Sequence, residues 1–405
     1  VARGTVARVP ERRRSPVPLL IVLLPVLLVL GIWLGGHPQD LPSPVRSALV
    51  GEQGNLYQEA IDTLERDYYR PLPRQALLDA SLSGAIASLH DRFSNYFSPK
   101  AYADFTESTD GAFTGVGMTV AKAQKGLRVL TVFAGSPARR GGVRSGDIIV
   151  AVNGRSLAGR SSDAATAAIK GPVGTTVALT LRHGGTSRTV RLERARVEVP
   201  VVRSSMQHAG GKPVAYVRLA SFTAGAHAGV SSAVHRLLNQ GAKGVVLDLR
   251  DNGGGLLDEA VLISSIFLPD GKVVTTRGRN RPEHVYDATG GAISTKIPVV
   301  VLVNRNTASA SEIVTGSLQD RHRATVLGTR TFGKGVFQEI ERLSNGGALD
   351  ITVGEYFLPS GRNLGGGGVK EGAGIKPNVF APDKPSTTRD ETLQAGLKAL
   401  ARAGA

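Results

Sequence analysis

A serine and a lysine set 25 residues apart are the residues of this chain best suited to carry chemistry. Ser309 lies in V-V-V-L-V-N-R-N-T-A-S-A-S-E-I, and Lys334 stands between two glycines in T-R-T-F-G-K-G-V-F-Q. A serine hydroxyl is a weak nucleophile at neutral pH unless a neighbouring base takes its proton. A lysine amine can be that base only when uncharged. With a reference pKa of about 10.4, roughly one in a few thousand is neutral at pH 7. Burial raises the neutral fraction, and each tenfold gain costs about 1.4 kcal/mol. The chemistry on offer is acyl transfer in a folded, partly dry site.

The elements that must position these groups are legible nearby. Residues 297–303 form a short apolar, β-branched run bounded by a polar turn, as a buried strand requires. Residues 304–307 have turn chemistry, and 309–318 read as a helix with Ile313, Val314 and Leu318 on its apolar side. A serine at a helix start lies beside free backbone N–H groups and the positive end of the helix dipole. Those donors suit the oxyanion of a tetrahedral intermediate. Periodicity equally allows an ordinary N-cap serine, and Ser311 fits that role as well as Ser309. A second strand, turn and helix follow the same plan over 244–249, 251–255 and 256–268. Its glycines let backbone N–H groups approach a ligand without a Cβ in the way. Alone, the segment is equally a tight β-α turn.

Together these segments resemble the carboxyl-terminal processing proteases, also called tail-specific proteases. That family carries a T-A-S-A-S-E-I-like segment, T-F-G-K-G about 25 residues on, and a glutamine four residues after the lysine. The resemblance runs from about residue 55 to residue 380. It implies Ser309 as nucleophile, Lys334 as general base and Gln338 as the group that orients the lysine. D-L-R-D-N-G-G-G-L-L is similar to the family's D-L-R-x-N-x-G-G element, which implies that Gly254 shares an oxyanion hole with the N–H of Ala310. Gly253 stands where relatives often carry proline, so the choice among residues 253–255 stays open. Residues 349–363 resemble the substrate-side strand and P-S-G-R turn, while G-I-K-P-N departs from the usual G-I-x-P-D. The implied fold class is α/β: a β-α superhelical (crotonase/Clp-protease-like) peptidase core over 197–385, with a C-terminal helical tail over 386–405.

Residues 111–196 resemble a PDZ domain through S-P-A-R-R-G-G-V-R-S-G-D-I-I-V-A-V-N-G. Gly115, Val116, Gly117 and Met118 then occupy the carboxylate-binding loop. Free N–H groups there would grip a terminal carboxylate while a peptide adds as a strand to the sheet edge. The expected partners are proteins with accessible apolar C-termini. A PDZ fold that merely packs against the core is the plainer alternative. Residues 55–105 recur in apolar side chains at three- and four-residue spacing, broken at Pro71 and Pro73, and read as an N-terminal helical region. In relatives such a region can join in dimerisation, which makes a homo-oligomer an expectation of the resemblance. The periodicity itself fits plain core packing as well.

Composition bounds the rest. With 405 residues and 41% apolar content, two or three domains can each bury a core. The lack of cysteine removes thiol nucleophiles and cysteine metal sites, and fits work outside the reducing cytosol. The net charge of +16 invites a nucleic-acid reading, but only 5% of residues are aromatic. Arg3, Arg8, Arg12, Arg13 and Arg14 cluster ahead of an uncharged run at 17–36. Twenty residues at about 1.5 Å each span a hydrocarbon core of about 30 Å. The expectation is therefore a basic cytoplasmic tail (1–16), an N-terminal transmembrane helix (17–36), a linker (37–54) and an extracytoplasmic catalytic domain on the cell membrane, by the positive-inside rule. A cleaved signal peptide is the rival. Nucleic acid is not an expected partner.

Residues 328–334 spell G-x-x-x-x-G-K, but Gly335 replaces the Ser or Thr that a phosphate loop needs, and an extended segment follows. No cofactor or metal is expected. The reading is a membrane-anchored serine endopeptidase that cleaves proteins near their C-termini, its PDZ domain recognising those ends and gating the site. The competing readings are a catalytically inactive PDZ scaffold that keeps the peptidase fold, and an enoyl-hydratase-like enzyme.

Overall fold

The computed structural model describes residues 52–384 and 386–404. The expected basic tail and transmembrane span lie outside them. Among the described residues no helix is long and apolar enough to cross a membrane.

The chain divides into two units, the first ending at Ala85. It holds the helix Glu52–Asp67 and all but the last two residues of the helix Arg74–Ala87, which flank the break at Pro71 and Pro73. Within it the Arg74 guanidinium bridges Asp62 and Glu65 at 2.7 and 2.9 Å.

The second unit is built around a six-stranded sheet. Val202–Ala209 and Lys212–Leu219 form an antiparallel pair; Val245–Asp248, Val299–Val303, Thr325–Gly328 and Val379–Phe380 then follow in parallel, in sequence order. Successive strands laid side by side without a reversal of order are what a β-α superhelix requires. All five residues of Val299–Val303 are buried because both faces are covered. Side chains alternate across the sheet. Val245, Leu247, Val299, Val301 and Val303 pack with the helices Ala226–Asn239, Leu257–Ser265 and Ala310–Asp320. Val246, Val300 and Leu302 meet Leu397 and Leu400 of the terminal helix Glu391–Arg402 on the other face.

A second, antiparallel sheet runs Asn95–Phe97, Ala348–Phe357, Lys272–Gly278, Arg281–Asp287, with Val336–Arg342 also paired to Ala348–Phe357. Asn95–Phe97 and the helix Pro99–Thr109, N-capped by Ser98, fall within and just beyond the stretch expected to be helical throughout. The strand instead pairs with Ala348, Leu349 and Asp350 of the peptidase core. A three-residue strand gives no periodic signal of its own, and its partner lies some 250 residues away in sequence.

The PDZ-like portion is a sheet ordered Met118–Ala123, Gly126–Val132, Ile148–Val152, Thr176–His183, Thr186–Glu193, with the helix Ser162–Ile169. Alternate residues Val177, Leu179 and Leu181 fill its core beside Leu127, Val129 and Ile149.

Candidate active site

Two neighbouring parallel strands, Val245–Asp248 and Val299–Val303, each end in a turn on the carboxyl side of the sheet, and hydrogen bonds join the turns. Asp251 accepts from Asn304 Nδ2 and Asn306 Nδ2, both at 2.8 Å. The Asn252 carbonyl accepts from the Ala308 N–H at 3.1 Å and from Ser311 Oγ at 3.0 Å. Ser311 is therefore bound inward and fully buried, which separates it from Ser309, left half-buried beside a cleft.

Ser309 is the N-cap of the helix Ala310–Asp320, with φ 57° and ψ −121°. A non-glycine residue in this region costs about 1–3 kcal/mol and persists only where its surroundings over-determine it. Here its N–H donates to Glu312 Oε2 at 3.0 Å, and its carbonyl accepts from the Glu312 and Ile313 amides at 2.7 and 3.0 Å.

The cleft beside it has a volume of about 600 Å³. Ser309, Ala310, Lys334 and Gln338 all line it, with Gly253 and Gly255 from the glycine turn and an apolar wall that includes Tyr102, Phe105 and Phe337. Lys334 Nζ donates to Gln338 Oε1 at 2.6 Å, and Gln338 Nε2 donates to Thr352 Oγ1 at 2.9 Å. The Phe93 ring covers the amine from 4.6 Å. Burial pushes the Lys334 amine below its ordinary value, against the opposing charges of Asp350, Asp91 and Glu312. Asp350, also on the cleft, is pushed up to about 6, chiefly by its own burial. No hydrogen bond joins Nζ to Ser309 Oγ among the described residues. Such bonds often tighten only when substrate is bound.

The glycine turn differs in detail from what the motif implied. The Asn252 amide, fixed by donating to the Leu219 carbonyl at 2.9 Å, turns its Oδ1 to accept the Gly254 N–H at 2.9 Å. In this conformation the Gly254 donor is engaged. The amides of Gly253 and Ala310 have no acceptor among the described residues, and both residues line the cleft. Gly254 matters for another reason. At φ +102°, a Cβ there would lie 2.8 Å from Ser309 Cβ and 2.9 Å from the Ala308 carbonyl oxygen and the Ala310 nitrogen. Gly254→Ala should therefore displace the serine turn and lower kcat by roughly 100-fold or more, as ångström-scale misplacement does. Steady-state kinetics on a scissile peptide checks this.

Glu312 stands three residues after Ser309 in the same segment. Its carboxylate is fully buried and accepts four hydrogen bonds: Ser309 N–H, Lys334 N–H at 3.0 Å, Gly333 N–H at 2.8 Å and Thr331 Oγ1 at 2.5 Å. A glutamate three residues after an N-cap serine is the capping-box spacing, so one of these bonds was visible in sequence.

Gly115, Val116, Gly117 and Met118 lie outside this cleft, in the PDZ-like portion. The Val116 and Gly117 carbonyls turn inward to accept from Ala138 and Phe133 amides at 2.7 and 3.0 Å. Val116 and Met118 are buried in its apolar core, and Met118–Ala123 is an edge strand.

A serine set at a strand-to-helix turn, a water-deprived lysine and an appended edge-strand domain are the parts of a serine peptidase with a PDZ module. A model of "Peptidase family S41" matches residues 213–379, and one of "PDZ domain" matches residues 107–182. The chain is 33% identical over 367 residues to the carboxy-terminal-processing protease of Bartonella bacilliformis, covering 87% of this chain and 81% of that one. It is also 33% identical over 385 residues to the carboxyl-terminal-processing protease of Synechocystis sp., covering 91% and 90%. A Staphylococcus aureus protein named "Probable CtpA-like serine protease" is 31% identical over 364 residues, covering 86% of this chain and 73% of its own. The chain belongs to the carboxyl-terminal-processing proteases of peptidase family S41. It is a serine protease with a PDZ domain.

Proposed function

We propose that Ser309 and Lys334 form the catalytic dyad of this protease, with Gln338 orienting the amine. Neutral Lys334 takes the proton of Ser309 Oγ as that oxygen bonds to a peptide carbonyl carbon. The oxyanion rests between the Ala310 N–H and an amide of the glycine turn, with Gly253 favoured over the engaged Gly254. The lysine proton passes to the leaving nitrogen as the C–N bond breaks. A water then loses a proton to Lys334, attacks the acyl ester and frees the new carboxyl end, and Ser309 regains its proton. The observation that carries this reading is the placement of a half-buried serine and a water-deprived lysine amine on the walls of one cleft.

The PDZ domain, in this proposal, captures substrate by its C-terminus along the Met118–Ala123 edge, with residues 115–118 around the carboxylate. It is also tied to the cleft. Lys170, next to the helix Ser162–Ile169, pairs with Glu107, and Glu107 also accepts from the Thr114 N–H at 3.1 Å. Glu107 belongs to the helix Pro99–Thr109, whose Tyr102 and Phe105 wall the cleft. This link supports gating by the occupied groove. A peptide with a free apolar C-terminus should be cleaved with a kcat/KM at least roughly tenfold above that of its C-terminal amide, since the amide forfeits the charge-assisted bonds. Equal rates would refute C-terminal capture.

Residues 17–36 are proposed to anchor the chain in the cell membrane with the catalytic domain outside the cytoplasm. The expected result is carbonate-resistant membrane association that disappears when 17–36 are deleted. Soluble behaviour of the full chain would overturn it.

A further inference from the structure

We infer that Glu312 is a positioning residue that clamps the nucleophile turn to the lysine loop, one buried carboxylate fixing the placement of Ser309 relative to Lys334. The inference rests on the dyad reading and adds to it a part that reading does not supply.

The four donors around the carboxylate are divided between the two segments. Oε2 accepts from the backbone N–H of Ser309 and that of Lys334, each at 3.0 Å. Oε1 accepts from the Gly333 N–H at 2.8 Å and from Thr331 Oγ1 at 2.5 Å. A carboxylate offers about four lone-pair sites, and here each is filled. A capping box alone accounts for the Ser309 bond; the other three donors all come from residues 331–334. Thr331 Oγ1 in turn accepts from the Ile375 N–H at 2.6 Å. Room for this cluster depends on Gly374, where a Cβ would fall 2.2 Å from Thr331 Oγ1 and 2.5 Å from Glu312 Oε1.

Among the described residues no cation pairs with Glu312, so its charge is held by hydrogen bonds. Burial raises its carboxyl group while the Thr331, Lys334, Gly333 and Ser309 donors work the other way. The same charge acts on Lys334, where it favours the protonated amine. Glu312 therefore has two effects of opposite sense: it assembles the pair, and it restrains the base. Glutamine at 312 would keep the size but present an NH₂ group to two of the four donors.

The test measures kcat, KM and the pH profile of peptide cleavage for Glu312→Gln, with Ser309→Ala as reference. The expected result is a kcat lower by roughly 100-fold, a KM within about twofold of the parent's, and a rising pH limb moved to lower pH because a charge that held the lysine proton is gone. A lower kcat with an unmoved limb would mark Glu312 as a prop of the fold only and overturn the inference. Parent-like kinetics in Glu312→Gln while Ser309→Ala is dead would overturn it too and leave the dyad intact. Activity surviving in Ser309→Ala would instead strike the dyad. Should Glu312→Gln fail to fold, Thr331→Val removes one donor and keeps the charge. A loss in kcat of about three- to tenfold supports the clamp, and no loss refutes it.

Discussion

Ser309→Ala should lower kcat for a scissile peptide by roughly 10⁴–10⁶-fold, the scale seen when an acyl-transfer nucleophile is removed. The substitution is unusually clean at this position. The three bonds that fix the turn, from the Ser309 N–H to Glu312 Oε2 and from the Glu312 and Ile313 amides to the Ser309 carbonyl, use the Ser309 backbone and survive. Alanine meets the same positive φ with the same Cβ, so the strain at φ 57° is unchanged. Only the hydroxyl is lost. The melting temperature should shift by no more than about 2 °C, the scale of a sub-kilocalorie change in a chain of this size. Residual turnover above about 1% of the parent would mean another group attacks the peptide carbonyl, and Ser311 is an unsuitable substitute because it is fully buried and bound to the Asn252 carbonyl.

Lys334→Arg should lower kcat by roughly 10²–10⁴-fold, the usual contribution of a positioned base. Arginine keeps the positive charge and can reach Gln338, but a guanidinium does not deprotonate in proteins. The pH dependence separates the loss of a base from the loss of a contact. In the proposed dyad only the neutral amine can take the Ser309 proton, so the parent's kcat/KM should rise with pH as Lys334 loses its proton and fall away below that ionisation. Burial lowers the amine and so brings this limb toward neutrality; the ionised forms of Asp350, Asp91 and Glu312 push it back up. With Asp350 pushed up to about 6, its opposing charge is present at neutral pH. Lys334→Arg should show a low, flat profile with no such limb. A rising limb identical to the parent's in this variant would assign the base to another residue.

The strongly patterned parts of the molecule were readable from sequence. Within the run at 297–303, Val299–Val303 is a buried strand because five aliphatic residues in a row leave it no polar face. The helix after Ser309 begins where the turn chemistry ends. What sequence could not give depends on contacts made across long separations. Which glycine amide faces the cleft is decided by Asn252, whose side chain is aimed by the Leu219 carbonyl 33 residues earlier. Glycine's freedom in φ hides that choice, since Gly254 and Gly255 adopt positive values that no pattern announces. The wall formed by Tyr102 and Phe105 belongs to a helix whose place beside Ser309 and Lys334 no local pattern announces, because the neighbouring Asn95–Phe97 strand pairs some 250 residues away. Glu312 offered a local cue in its spacing from Ser309, but three of its four partners lie 19 to 22 residues on.

The proposed dyad turns on an amine that surrenders its proton more easily than a lysine in water. The direct measurement is an NMR titration of the Lys334 side chain in ¹³Cε-lysine-labelled Ser309→Ala protein, assigned against Lys334→Arg and repeated with peptide bound. The amine should ionise below the free-lysine value of about 10.4 and in register with the rising limb of the parent's kcat/KM. Ionisation at the ordinary lysine value, both with and without peptide, would contradict the dyad.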